Sequence, residues 1–266
     1  MRVQCHTWQS ASRLAAEYVE IVRAFGSNNE MRDWAEGYVH GHAGRLQWDV
    51  DFLVSNYSFS SCLNVGGAPF LFEYLISKSR PELRLTSLDL DPLRFPAASR
   101  ILGTEVVQMD IERTNTAAIT SLGQFQCVVF CEIFEHLRID LLRTVNSLAQ
   151  LIAPEGILYL TMPNGLGLSA WLTKFINGRT GPDPVSEWRK LTQIGHMGHV
   201  REYSLCELQG VLEECGLRVE RYFFRRQSSF RGTIRSRIRD TAQAVAMKVI
   251  PSLGDEIGVV ARRRAR

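Results

Sequence analysis

The chain has 266 residues, 45% hydrophobic and 22% charged, the balance of an ordinary soluble globular protein. Its length suits one α/β domain with additions at the ends. No stretch reaches the apolar length that spans a bilayer, and the opening "MRVQCHTWQSASR" lacks the apolar core of a secretory signal, so a cytoplasmic protein is expected. The net charge of +3 hides an asymmetry. From Arg218 onward there are thirteen Lys/Arg against four Asp/Glu, and eighteen against twenty-four in the rest. Such a basic segment suits contact with nucleic acid or an anionic membrane, or a solvated surface. Cys5, Cys62, Cys127, Cys131, Cys206 and Cys215 show no CxxC spacing and read as reduced thiols.

In chain order, residues 11–57 read as helical. "RLAAEYVEIVRAF" and "GRLQWDVDFLVSNY" carry apolar residues at helix spacing, set apart by the turn-rich "GSNNE" and by "HGHAG". Five short apolar runs follow: "SCLNVGG" (61–67), "LRLTSLDLD" (83–91), "TEVVQMD" (104–110), "QCVVFCE" (126–132) and "GILYLTMPN" (156–164). Helix-compatible segments lie between them, notably "FLFEYLISK" and "LLRTVNSLAQLIA". Strands alternating with helices predict βαβ units, right-handed crossovers and a parallel sheet. A polar, tryptophan-bearing insert (164–203) leads to a helix, "SLCELQGVLEECG", and a strand, "LRVERYFF"; a basic helical segment (234–248) and a last strand, "EIGVVARR", close the chain.

The expected fold is therefore α/β, a Rossmann-like seven-stranded and mostly parallel sheet with helices on both faces. An N-terminal helical addition (1–58) precedes the main domain (59–266), which carries the insert after the fifth strand and a basic helical insert at 225–254. Ligands of such sheets bind beyond the carboxyl ends of the strands. Here those ends carry Gly66-Gly67, Asp89, Asp110 and Glu132. A dinucleotide site would need G-x-G-x-x-G after the first strand; "NVGGAPF" lacks the later glycines, which weakens an NAD(P) reading. Asp89, 23 residues after Gly66, can accept both hydroxyls of a ribose, and Asp110 the N–H donors of an adenine. Two acids beside the groove also suit a cationic sulfonium better than an anionic pyrophosphate.

Six segments in register resemble the class I S-adenosylmethionine-dependent methyltransferases, over roughly residues 60–262. "LNVGGAPF" resembles the glycine loop after the first strand, "LTSLDLDP" the acidic end of the second and "VVQMDIE" the end of the third. "FQCVVFCEIFEHL" resembles the fourth-strand motif, "LIAPEGILYLTMPN" the helix, turn and fifth strand, and "HVREYSLCELQGVLEECGLRVE" the later helix and sixth strand. The resemblance implies S-adenosylmethionine as cofactor, held by Asn64, Gly66, Gly67, Ala68, Asp89, Leu90, Asp110, Ile111 and Cys131. Asp89 would then take the ribose and Asp110 the adenine amino group. The chain departs from the family where Asn64 replaces an acid, and where Ala68 and Phe70 replace glycines.

Methyl transfer from a sulfonium is an in-line displacement, for which a protein supplies alignment, exclusion of water and a proton acceptor for a hydroxyl. Candidate bases are Glu132, Glu135 and His136 from "FCEIFEHL" and His196 and His199 from "HMGH"; Glu135, His136 and His199 are the catalytic expectation. Glu132, Glu135 and His136 stand at i, i+3 and i+4, which a helical turn would place on one face. The arrangement resembles the divalent-metal site of small-RNA 2′-O-methyltransferases and ubiquinone-pathway O-methyltransferases. That implies a metal such as Mg²⁺ on Glu132, Glu135, His136 and His199. In metal-free relatives of the same signature the acids cap a helix, and His136 would position substrate or act as base. Trp171, Phe175 and Trp188, with Trp34, Tyr38 and His40, suit an acceptor pocket or lid, or the packing of added helices. The expected activity is O-methylation of a small molecule, a sugar or a lipid-linked intermediate. An RNA 2′-O-methyltransferase and a non-catalytic module on the same fold are the alternatives.

Overall fold

The computed structural model describes residues 8–25, 29–95, 103–179, 181–193, 198–226 and 234–264. His196, Cys5 and Arg266 lie outside them. Seven strands form one mixed, mostly parallel sheet: β1 (Ser61–Val65), β2 (Arg84–Asp89), β3 (Glu105–Gln108), β4 (Phe125–Cys131), β5 (Ile152–Pro163), β6 (Leu217–Arg225) and β7 (Glu256–Arg263). Their order is β3-β2-β1-β4-β5-β7-β6, with β7 antiparallel to both β5 and β6. By contact the chain divides into two compact units, 1–110 with 125–127, and 111–124 with 128–266.

The first unit holds α1 (Trp8–Phe25), α2 (Asn29–Asn56), β1, α3 (Leu71–Ser79), β2 and β3. The expected break at "HGHAG" is not there: α2 runs through it without interruption. The reason is tertiary. Ala35, Val39, Ala43, Leu46, Val50 and Leu53 recur at helix spacing and are buried, and burying that stripe outweighs the roughly 1 kcal/mol that each interior glycine costs. The Trp34 ring makes tilted contacts with Tyr38 and Phe95, at centroid distances of 5.5 and 5.8 Å. Helix α1 packs on α3, where the Tyr18 and Tyr74 rings lie 5.0 Å apart and the Tyr74 hydroxyl donates to Glu17 at 2.9 Å. The Tyr18 hydroxyl donates to the carbonyl of Pro69. β1 pairs in parallel with β2 (Ser61 opposite Arg84) and β2 with β3 (Thr86 opposite Glu105), so the carboxyl ends of the three strands align.

The second unit holds α4 (Thr116–Thr120), α5 (Leu141–Leu151), α6 (Leu168–Asn177), α7 (Pro184–Gln193), α8 (Leu205–Glu214) and α9 (Ile234–Val249), together with β5, β6 and β7. The "LLRTVNSLAQLIA" helix is shorter than expected, stopping at Leu151 because β5 begins at Ile152. Helix α8 starts with a capping box: the Ser204 side chain accepts from Glu207 N–H while the Glu207 carboxylate takes the Ser204 N–H. A side chain at Gly258 on β7 would sit 2.0 Å from the Phe223 ring on the neighbouring strand, which would have to shift to admit it. No disulfide joins the described cysteines. Among the described residues no helix is long and apolar enough to cross a membrane.

Candidate active site

Two groups of polar side chains gather at strand ends, one in each unit. In the first, the chain leaves β1 in a turn tied to the end of β2. Gly66 and Gly67 donate their N–H groups to the Leu88 carbonyl at 2.7 and 3.4 Å, and Phe70 N–H closes on Gly67 O at 2.6 Å. The Asp89 carboxylate anchors this loop, its Oδ2 accepting from Ala68 N–H at 2.9 Å and its Oδ1 from Asp91 N–H at 2.8 Å. Met109 N–H reaches the Asp89 carbonyl at 2.9 Å, which carries the ladder on and sets half-buried Asp110 just beyond it. Gly66, Gly67, Ala68, Asp89, Leu90 and Asp110 thus line adjacent strand ends, as the sequence led us to expect. Asn64 is different: it is buried and turned inward, its amide donating to Glu73 at 2.7 Å.

Glu73 was not singled out from the sequence. It lies on α3, wholly buried, and its Oε1 also accepts from Ser87 Oγ at 2.6 Å. Burial is the main cause that pushes its carboxyl up to about 7; the hydrogen bonds from Ser87 and Asn64 pull the other way, and the charge of Asp89 adds to the rise. The available signal was a glutamate inside an otherwise apolar run, for Leu71, Phe72, Tyr74, Leu75 and Ile76 are all buried.

In the second unit, Glu132 takes a left-handed conformation, φ 57°, and a single 3₁₀ turn, Phe134–His136, follows it. The expectation that Glu132, Glu135 and His136 share one helical face is therefore corrected. Glu132 instead faces β5, its Oε1 accepting from Thr161 Oγ1 at 3.2 Å and its N–H donating to Thr161 O at 2.8 Å. Glu135 and His136 come together with His199, and one donor atom from each lies within 4.8 Å of the others. Glu135 Oε1 stands 3.9 Å from His136 Nε2 and 4.0 Å from His199 Nε2, although Glu135 is only 1% exposed. The segment after the insert is pinned here by its backbone, since Val200 and Arg201 donate to the Glu135 carbonyl at 2.8 and 3.3 Å.

Both imidazoles are oriented through their other nitrogen. His136 Nδ1 lies 3.0 Å from the Gly198 carbonyl, which can only accept, so Nδ1 carries a proton and, in the neutral ring, Nε2 the lone pair. His199 Nδ1 faces Glu202 at 3.5 Å. The His199 N–H donates to Glu187 Oε2 at 2.9 Å. Burial alone would raise the Glu187 carboxyl, but hydrogen bonds from Lys190 and from His199 outweigh it and hold the group below its usual range. A carboxylate and two imidazole Nε2 atoms converging, with an outer acceptor behind each ring, is the donor set of a divalent-metal site. The residues present fit such an ion.

Elsewhere in this unit Ile111 is buried and Cys131 half-buried. Glu112 is a strut, its Oε1 accepting from Arg138 and Ile139 N–H at 2.7 and 2.8 Å. In the insert, Trp171, Phe175 and Trp188 are 48%, 67% and 65% exposed, and the Trp171 and Phe175 rings lie 4.3 Å apart.

A family model for the methyltransferase domain matches residues 38–222. The chain belongs to the S-adenosylmethionine-dependent methyltransferases. Solved methyltransferase structures share the fold at low identity. One from Archaeoglobus fulgidus, described as a SAM-dependent methyltransferase, has 15% identity and a TM-score of 0.53, over 82% of this chain and 93% of that one. The plantazolicin methyltransferase BpumL, solved with a desmethylPZN analog and SAH, has 12% identity and a TM-score of 0.54, over 97% and 98%. The mitomycin 7-O-methyltransferase MmcR has 16% identity and a TM-score of 0.50, over 99% and 70%. No curated protein matches the sequence. Within this methyltransferase the strand-end loop of Gly66, Asp89 and Asp110 is the candidate donor site, and the Glu135–His136–His199 group the candidate acceptor site.

Proposed function

We propose that this methyltransferase transfers a methyl group to a hydroxyl oxygen of a small molecule, a sugar or a lipid-linked intermediate, with a divalent metal held by Glu135, His136 and His199. The observation that carries this reading is the convergence of one ligand atom each from Glu135, His136 and His199 within 4.8 Å of one another, with both Nε2 atoms about 4 Å from Glu135 Oε1. S-adenosylmethionine supplies a methyl carbon on a positively charged sulfur. The acceptor oxygen forms the new C–O bond as the C–S bond breaks, the electron pair stays on sulfur, and the acceptor's proton must leave. When bound, a metal lowers the pKa of a hydroxyl or vicinal diol, so that a weak base suffices. Gly198 and Glu202 keep the two imidazoles presented through Nε2.

A metal-free reading rests on a separate observation, the Glu202 carboxylate 3.5 Å from His199 Nδ1. That pairing would support His199 as a general base. Chelation and metal content decide between the two. Under the metal reading, exhaustive chelation abolishes labelled methyl transfer and added Mg²⁺ or Mn²⁺ restores it, while Glu135→Gln and His199→Ala lose bound metal as well as activity. Activity that survives chelation overturns the metal and leaves the histidine base.

A further inference from the structure

The Glu73 carboxyl lies directly beneath the strand-end loop. A β-carbon at Gly67 would stand 2.0 Å from Ser87 Oγ and 2.5 Å from Glu73 Oε1, so the bare backbone of the loop rests against the acid with no room for a side chain between them. Oε1 accepts from Asn64 Nδ2 and Ser87 Oγ. Oε2 is buried and has no hydrogen-bond partner among the described residues. Among the described residues the titratable groups facing it are Asp89 from β2 and the phenol of Tyr18 from α1; neither is a cation. A fully buried acid beside a second carboxylate and no positive charge is costly to ionise. Such an acid gains a partner when a cation arrives.

The donor proposed for this loop carries a sulfonium and an ammonium. We propose that Glu73 is a positioning acid of the donor site, holding Gly67 and Asn64 in place and releasing its proton when the cationic donor binds. This rests on the reading of the loop as the S-adenosylmethionine site. Binding and deprotonation are linked, so the donor's field lowers the affinity of Glu73 for its proton, and the ionised acid in return holds the donor more tightly. With an acid that titrates at about 7 in the unliganded chain, donor affinity rises between pH 6 and pH 8, approaching about tenfold over that window once the donor lowers the value by two units or more.

The test is titration calorimetry of the full chain with S-adenosylmethionine, at pH 6 to 8 and in buffers of different ionisation enthalpy. Wild type is expected to release roughly half a proton per site at pH 7 and to bind more tightly as pH rises. Glu73→Gln keeps size and hydrogen-bond acceptor but should release none, bind at least about tenfold more weakly at pH 8 and show a flat profile. Exchanging the two groups across their contact, Asn64→Asp with Glu73→Gln, should recover most of the affinity, which a purely structural role would not predict. Wild-type binding without proton release and without pH dependence overturns the proposal, whether or not the variants fold. Failure of wild type to bind the donor at any pH removes the donor-site reading itself, and the role of Glu73 with it.

Discussion

At Phe70 the backbone sits at φ 64°, in the left-handed region, and the side chain is fully buried. The position demands a glycine's backbone and a phenylalanine's bulk at once. Left-handed geometry costs a side-chain-bearing residue roughly 1 kcal/mol, while deleting a buried phenylalanine costs about 3–5 kcal/mol. Both Phe70→Gly and Phe70→Ala should therefore destabilise the fold in denaturant titrations. The order should be unusual, with the alanine variant less stable than the glycine variant by about 1 kcal/mol. Glu73 makes a second prediction at this scale. Its folded value of about 7 lies above its ordinary 4.5, so the folded state binds the proton more tightly than the unfolded one. Stability is then lost as pH rises from about 4.5 through 7, by up to about 3 kcal/mol. The melting temperature of wild type should fall relative to that of Glu73→Gln between pH 5 and pH 8, and a constant difference would show that Glu73 does not titrate.

Helix α2 shows where the sequence was legible and where it was not. Its apolar stripe from Ala35 to Leu53 is plain, but three glycines around "HGHAG" read locally as a break, because propensity is a local signal and the burial that overrides it is not. Gly37 and Gly41 are exposed, and a β-carbon at either would meet nothing within 4 Å. Alanine at each should stabilise by about 0.5–1 kcal/mol, read as a raised melting temperature without change in donor affinity. The strands were legible for the opposite reason. Runs such as "SCLNV" and "EIGVVARR" are short, apolar and closed by turn residues, and they became β1 and β7. In the site, Asp89 and the glycines could be placed from strand ends alone. The pairing of Glu135 with His199 could be expected only through resemblance, since 63 residues separate them in the chain. Glu132 was misplaced because a left-handed residue and a 3₁₀ turn break the helical period on which its placement depended.

Across the whole molecule the charge asymmetry takes a structural form in its last strand. Arg262 donates to Glu220 and to the Glu155 carbonyl, Arg263 to the Ile152 carbonyl, and Arg264 pairs with Glu213. Replacing Arg262, Arg263 and Arg264 with Gln should thus cost stability, by roughly 1 kcal/mol in total for such half-exposed pairs, while sparing turnover of a small neutral acceptor. Collapse of that turnover in a folded variant would tie the segment to the acceptor site instead. Binding of S-adenosylmethionine to wild type and to Asp89→Ala is the decisive test of the donor site. Wild type should bind saturably and one to one, and the variant should lose roughly 1.5–3 kcal/mol, the range for lost charge-assisted hydrogen bonds. Equal affinity in the two proteins, or no binding by wild type, would contradict the assignment of that site.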